Sequence, residues 1–227
     1  MKIFRNKHSF AVRLFHWINF PVLFVMIWSG TLIYWANDTY KISISKHVLF
    51  QFYPESVYKA LKIPFRLAEG MSWHFVFMWL FFLNGLLYVL YVLFTGEWKD
   101  FFPKLSSFKD AFYVVLYDLK LRKKKPEQGK YNAAQKIAYT AIVLMGAGSM
   151  LTGLVIYKPV QFNYLTTLLG GYEAARFQHF LLTIGFLVFF LIHVIQVILA
   201  GWNNFRAIVT GWEIDDDKNL DENGDGK

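Results

Sequence analysis

Two histidines, His179 and His193, stand inside a stretch from Phe177 to Gly201, FQHFLLTIGFLVFFLIHVIQVILAG, that carries no formal charge over 25 residues. At about 1.5 Å per residue such a helix crosses a hydrocarbon core roughly 30 Å thick, so the stretch predicts a membrane span. The two histidines are 14 positions apart. At about 100° per residue this falls only about 40° short of four turns, which puts both imidazoles on one face, roughly 21 Å apart along the axis. An ionisable side chain in hydrocarbon is costly unless engaged, which makes both functional candidates. The plainer alternative is that they hydrogen-bond backbone carbonyls of neighbouring helices.

The rest of the chain must position them. Of 227 residues, 56% are hydrophobic, 20% aromatic and only 18% charged, whereas soluble domains run at roughly 25% charged. The net charge of +8 reads as basic loops beside a membrane, and no nucleic-acid partner is expected. The absence of cysteine removes disulfides, thiolate zinc sites, iron–sulfur clusters and covalent c-type haem, so a metal must be held by His, Met or oxygen.

The expected fold is all-α: an integral membrane four-helix bundle with an amphipathic surface helix between helices 2 and 3. A basic N-terminus precedes an apolar run from Leu14 to Trp35, too long for a signal-peptide core and without a small-residue cleavage site, hence a first span. His16 lies just inside it, beside Trp17, which suits an aromatic belt. Residues 36–70, with Pro54 and Pro64, read as an external loop with some interfacial helix. A second span runs from Met71 to Thr95, with His74 one turn inside its start. In the polar connection that follows, Phe108, Ala111, Phe112, Val115, Leu116 and Leu119 keep helical spacing, the mark of an amphipathic helix on the membrane surface. The third span runs from Ile137 to Tyr157, with Gly146, Gly148 and Gly153 suited to close helix contact. Residues 1–212 form the expected transmembrane domain and 213–227 an acidic tail, whose DENGDG run matches only the first half of a calcium loop.

Ten basic residues (Lys99, Lys104, Lys109, Lys120, Arg122, Lys123, Lys124, Lys125, Lys130 and Lys136) fall in the second connection, against five (Lys41, Lys46, Lys59, Lys62 and Arg66) in the first. This bias, with four more before the first span, predicts both termini in the cytoplasm. Helices 2 and 4 then run inward, so His74 faces His179 at the outer level and His16 faces His193 at the inner one. Paired neutral imidazoles across a bundle are what six-coordinate haem iron requires, and two b-type haems follow. Gly30 and Gly85 would make room for the macrocycles, or serve ordinary helix packing. His8 and His47 fit neither pair and read as surface residues.

The layout of His16-Trp17, His74 and His179-x13-His193, supported by GKYNAAQK at Gly129 to Lys136 and by AGWNNFRAIVTGW, resembles the cytochrome b subunits of formate dehydrogenase, nickel–iron hydrogenase and thiosulfate reductase. The resemblance covers Phe10 to Trp212. It implies four histidine ligands to two haems b in a bacterial inner membrane, an extracytoplasmic oxidoreductase partner of molybdenum-enzyme or hydrogenase type, and a quinone (menaquinone or ubiquinone) held by Asn132 and Gln135. These two share roughly one face at the start of helix 3, where an amide is equally suited to cap the helix; Tyr131 and Trp17 are candidates to flank the ring. Arg13 and Arg206 inside and Arg176 outside are candidates for the haem propionates, or snorkel to headgroups. The function so expected is an electron-transfer subunit of an oxidoreductase complex. The alternatives are a stand-alone transmembrane reductase resembling eukaryotic-type cytochrome b561, and a haem-free transporter or scaffold using its histidines as a proton relay.

Overall fold

The computed structural model describes every residue except 1, 37–38, 45, 64, 119, 125–130 and 217–227. In chain order the elements are β1 (Lys2–Asn6), α1 (Phe10–Tyr34), β2 (Lys41–Ile44), β3 (His47–Gln51), α2 (Glu55–Ala60), α3 (Leu67–Thr95), α4 (Trp98–Phe101), α5 (Leu105–Asp118), α6 (Ala133–Tyr157), α7 (Asn163–Leu168), α8 (Tyr172–Ala200), α9 (Trp202–Thr210) and β4 (Trp212–Asp216). The fold is all-α in class, with α1, α3, α6 and α8 long and apolar enough to cross a membrane. Among the described residues the strands form two-stranded ribbons, β1–β4 and β2–β3.

All four long helices begin about a turn before the apolar runs that announced them. Arg13, Glu69, Lys136 and Arg176 lie in those added turns. An apolar run reports the thickness of hydrocarbon, whereas a helix continues wherever its backbone bonds are satisfied, including the headgroup layer where charge is tolerated. His74 consequently sits two turns inside α3, one turn deeper than expected.

The chain divides into two compact units, Phe15–Asn84 and, together, Met1–Leu14 with Gly85–Lys227. In the first, α1 and α3 run antiparallel: Ser29 meets His74, Leu32 lies against Gly70, and the buried Asn84 amide donates to the Phe15 carbonyl at 3.2 Å. A Cβ at Gly70 would come within 2.7 Å of the Leu32 Cβ, so only glycine permits this approach. The connection between α1 and α3 contains a hairpin, with Lys41 opposite Gln51, Ile42 opposite Phe50 and an irregularity after Ile42. Tyr58 on α2, 2% exposed, donates to the Thr31 carbonyl at 2.8 Å and stacks on Phe65. This ties the loop to the end of α1. Burial, reinforced by Tyr34 and Tyr53, pushes the Tyr58 hydroxyl up to about 12.

In the second unit α6 and α8 are antiparallel, with Gly148 against Leu182 and Thr152 against His179. The amphipathic helix is present as α5. It packs on α6; Ser107 and Val114 are buried, while Leu105, Phe108, Phe112 and Val115 are exposed, an apolar stripe suited to lipid. Leu119 lies outside the described residues, as do Lys125, Lys130 and the DENGDG run.

The ribbon of β1 and β4, pairing Phe4 with Ile214 and Asn6 with Trp212, joins the segment before α1 to the segment after α9. Residues 213–216 of the acidic tail are thus a strand. Glu213 holds it, receiving Lys7 at 2.8 Å and Arg5 at 3.2 Å, while the Asn203 amide bonds both backbone groups of Ile214. Gly211 makes the turn from α9 at a φ of 93°, and its carbonyl accepts the Lys7 N–H at 2.9 Å. A Cβ there would be strained and would press on the Arg13 guanidinium at 3.3 Å.

Candidate functional site

His74 and His179 occupy matching settings in the two units. On the helix beside each, a hydroxyl residue followed by a glycine meets the ring. Ser29 Oγ lies 3.0 Å from His74 Nδ1, and a Cβ on Gly30 would stand 3.8 Å from His74 Cε1. Thr152 Oγ1 lies 2.9 Å from His179 Nδ1, and a Cβ on Gly153 would stand 3.5 Å from His179 Cε1. Both hydroxyl residues are buried, at 0% and 3% exposure. The glycines leave one flank of each imidazole clear of side chain, while the hydroxyls address the Nδ1 side.

His16 meets Trp17 edge-on with ring centroids 5.2 Å apart. His193 lies parallel to Phe189 one turn back on α8, at 5.8 Å and 5°. Each expected pair, His16 with His193 and His74 with His179, draws one histidine from each compact unit. Within α8 itself, His179 and His193 are half-buried and sit toward opposite ends, as their spacing requires. His47 is exposed at the start of β3. His8 is half-buried, and its N–H points at the Gly211 carbonyl at 3.5 Å. Among the described residues no three His, Asp or Glu side chains gather as a metal site; a porphyrin iron asks for only two side-chain ligands.

Two of the three candidate arginines belong to the terminal ribbon's surroundings. Arg13 donates to the Val209 carbonyl at 2.8 Å, and Arg206 donates to Asn203 Oδ1 at 2.9 Å and faces the Trp212 carbonyl at 3.4 Å. In both, the guanidinium Nε is buried without a hydrogen-bond partner. Arg176, whose side chain is 17% exposed, pairs with Glu173 at 2.7 Å.

Asn132 is the N-cap of α6. Its Oδ1 accepts the Gln135 N–H at 2.8 Å and Gln135 Oε1 accepts the Asn132 N–H at 3.0 Å, a complete capping box. Tyr131 packs edge-on against Tyr139 at 5.3 Å. Further along the same helix, Val143 joins Tyr88, Val89, Val92, Leu93 and Trp98 around an apolar cavity of about 130 Å³. Ser29 and Thr152 were not singled out from the sequence. The available signal was a hydroxyl residue before a glycine inside an apolar run, Ser29-Gly30 in the first span and Thr152-Gly153 in the third.

A family model described as prokaryotic cytochrome b561 matches residues 7–211. A protein of Azospira oryzae, described as a putative protein-methionine-sulfoxide reductase subunit YedZ1, is 33% identical over 194 residues, which cover 85% of this chain and 90% of the relative.

Proposed function

Because this chain belongs to the prokaryotic cytochrome b561 family, a family of membrane electron-transfer subunits with b-type haem, we propose that it holds two haems b and carries electrons across the membrane between a quinone and an extracytoplasmic oxidoreductase. The haem supplies one-electron redox chemistry at its iron. His74 with His179, and His16 with His193, are the proposed axial ligands. The observation that carries this reading is the repeated setting of His74 and His179, each with its Nδ1 engaged and a glycine at its flank. Such residues fit a flat macrocycle held by the remaining ring nitrogen. Arg13, Arg206 and Arg176 are assigned to the propionates, with the buried Nε groups of the first two in support.

Asn132 and Gln135 are assigned to the quinone, menaquinone or ubiquinone. Their side-chain oxygens serve the capping box, so their amide N–H groups are the donors for ring carbonyls, and the apolar cavity along α6 suits part of the isoprenoid tail. The partner is of molybdenum-enzyme or hydrogenase type in the broad reading; the name of the Azospira oryzae relative makes a methionine-sulfoxide reductase the specific form proposed. Residues 1–212 act as one transmembrane domain of a bacterial inner-membrane protein, with 213–227 as its appendage. We assign both termini to the cytoplasm; the bias of basic residues supports this, and the pairing of β1 with β4 is consistent with a common side.

The test is purification in detergent, with the visible spectrum and haem content measured and co-purifying proteins identified. A Soret band, two haems per chain and a co-purifying extracytoplasmic oxidoreductase are expected. A colourless protein removes the haem reading, one haem per chain removes the second site, and full loading without a partner favours a stand-alone reductase.

A further inference from the structure

We propose that Ser29 and Thr152 are positioning residues for the ligands of one haem, setting the tautomer and ring orientation of His74 and His179 and, through them, the potential of the iron they share. This rests on the ligand pairing proposed above. Each hydroxyl has one proton. Ser29 Oγ lies 3.1 Å from the Met26 carbonyl, and Thr152 Oγ1 lies 2.7 Å from the Gly148 carbonyl and 3.2 Å from that of Ser149. A carbonyl only accepts, so each hydroxyl gives its proton to its own helix and turns a lone pair toward the neighbouring imidazole. The contact to Nδ1 at 3.0 Å and 2.9 Å is then a bond in which the ring donates. A neutral imidazole carries one N–H, so the proton on Nδ1 leaves Nε2 with the lone pair that ligates a metal.

Burial makes the device effective. With Ser29 at 0% and Thr152 at 3% exposure, no water replaces the hydroxyl, and an Nδ1–H left unsatisfied in hydrocarbon carries the full desolvation cost. The bond also restricts rotation about the Cβ–ring bond, so the imidazole plane is set before the cofactor arrives. A donor bond from Nδ1 increases electron donation by the ring and favours the oxidised iron. Loss of the hydroxyl therefore raises the potential.

The experiment is a redox titration of purified, haem-loaded Ser29→Ala and Thr152→Val, with low-spin electron paramagnetic resonance to report the relative orientation of the axial rings. Expected is an upward shift of one and the same haem in both variants, a changed resonance for that haem, the other haem as in wild type, and rescue by Ser29→Thr and Thr152→Ser. Unchanged potentials and resonances in both variants overturn the proposal. If the apolar variants lose a haem, retention by the hydroxyl-bearing pair supports it and loss there too overturns it, since size then matters and the hydroxyl does not. His74→Ala is the control: retention of both haems with unchanged spectra overturns the ligand assignment and this proposal together, whereas loss of one haem alongside silent hydroxyl variants overturns this proposal alone.

Discussion

The helix cap and the quinone role proposed for Asn132 draw on different atoms of one side chain. A cap needs an oxygen to accept the N–H of the first turn, which Asn132 Oδ1 does at 2.8 Å; a quinone carbonyl needs a donor, which the amide nitrogen supplies. The two uses are separable by substitution. Asn132→Asp and Gln135→Glu keep the oxygens and the capping box but lack the N–H groups. In these variants thermal stability should stay near wild type while quinol-driven haem reduction slows several-fold, the scale of a hydrogen bond worth about 1 kcal/mol. Asn132→Ala should in addition lose about 1 kcal/mol of stability. Stopped-flow reduction of protein shown to hold its full haem complement makes the measurement, and wild-type rates in both acidic variants would move the quinone elsewhere. The sequence allowed both roles for Asn132 because its position at a helix start favours either; the structure supplies the cap.

At the scale of elements, the β1–β4 ribbon is the feature with a definite pH dependence. Burial by itself would push the Glu213 carboxyl up, but the hydrogen bonds and charges of Lys7 and Arg5 outweigh it and hold the group below the ordinary glutamate range. A depressed folded value means that the ionised pair stabilises the ribbon above the ordinary range, and that this contribution is lost as pH falls through that range toward the folded value. The chain has no cysteine, so nitroxides placed by Phe4→Cys and Ile214→Cys, which are cross-strand partners, report on the ribbon alone. Their distance distribution should be narrow at neutral pH and broaden in acid, and Glu213→Gln should abolish the acid transition. A distribution that ignores both pH and the substitution would mean that the backbone ladder and Asn203 suffice. The ribbon was not legible in advance, because five-residue strands of mixed charge have no distinctive period and β1 and β4 stand some 200 positions apart.

For the whole molecule, pairing of β1 with β4 requires the segment before α1 and the segment after α9 to lie on one side of a membrane. The cytoplasmic side is the one proposed above, on the ten-to-five bias of basic residues between the two long connections. In intact cells a membrane-impermeant maleimide should label Lys46→Cys and spare Lys124→Cys until the membrane is opened; the reverse pattern would invert the orientation. The helical class, the four spans and the amphipathic helix were determined by sequence alone, since apolar length and helical period are local properties, set by the solvent each residue meets. The common face of His179 and His193 is likewise a matter of arithmetic along one helix. The tertiary structure decided what touches each histidine. Ser29 meets His74 across 45 positions and Thr152 meets His179 across 27, contacts that depend on how each helix is rotated about its axis. A span that is apolar on every side carries little information about that rotation, because lipid and helix neighbours are equally good solvents for leucine and phenylalanine. What sets it is close packing at glycine and the need of a few polar groups to find one another.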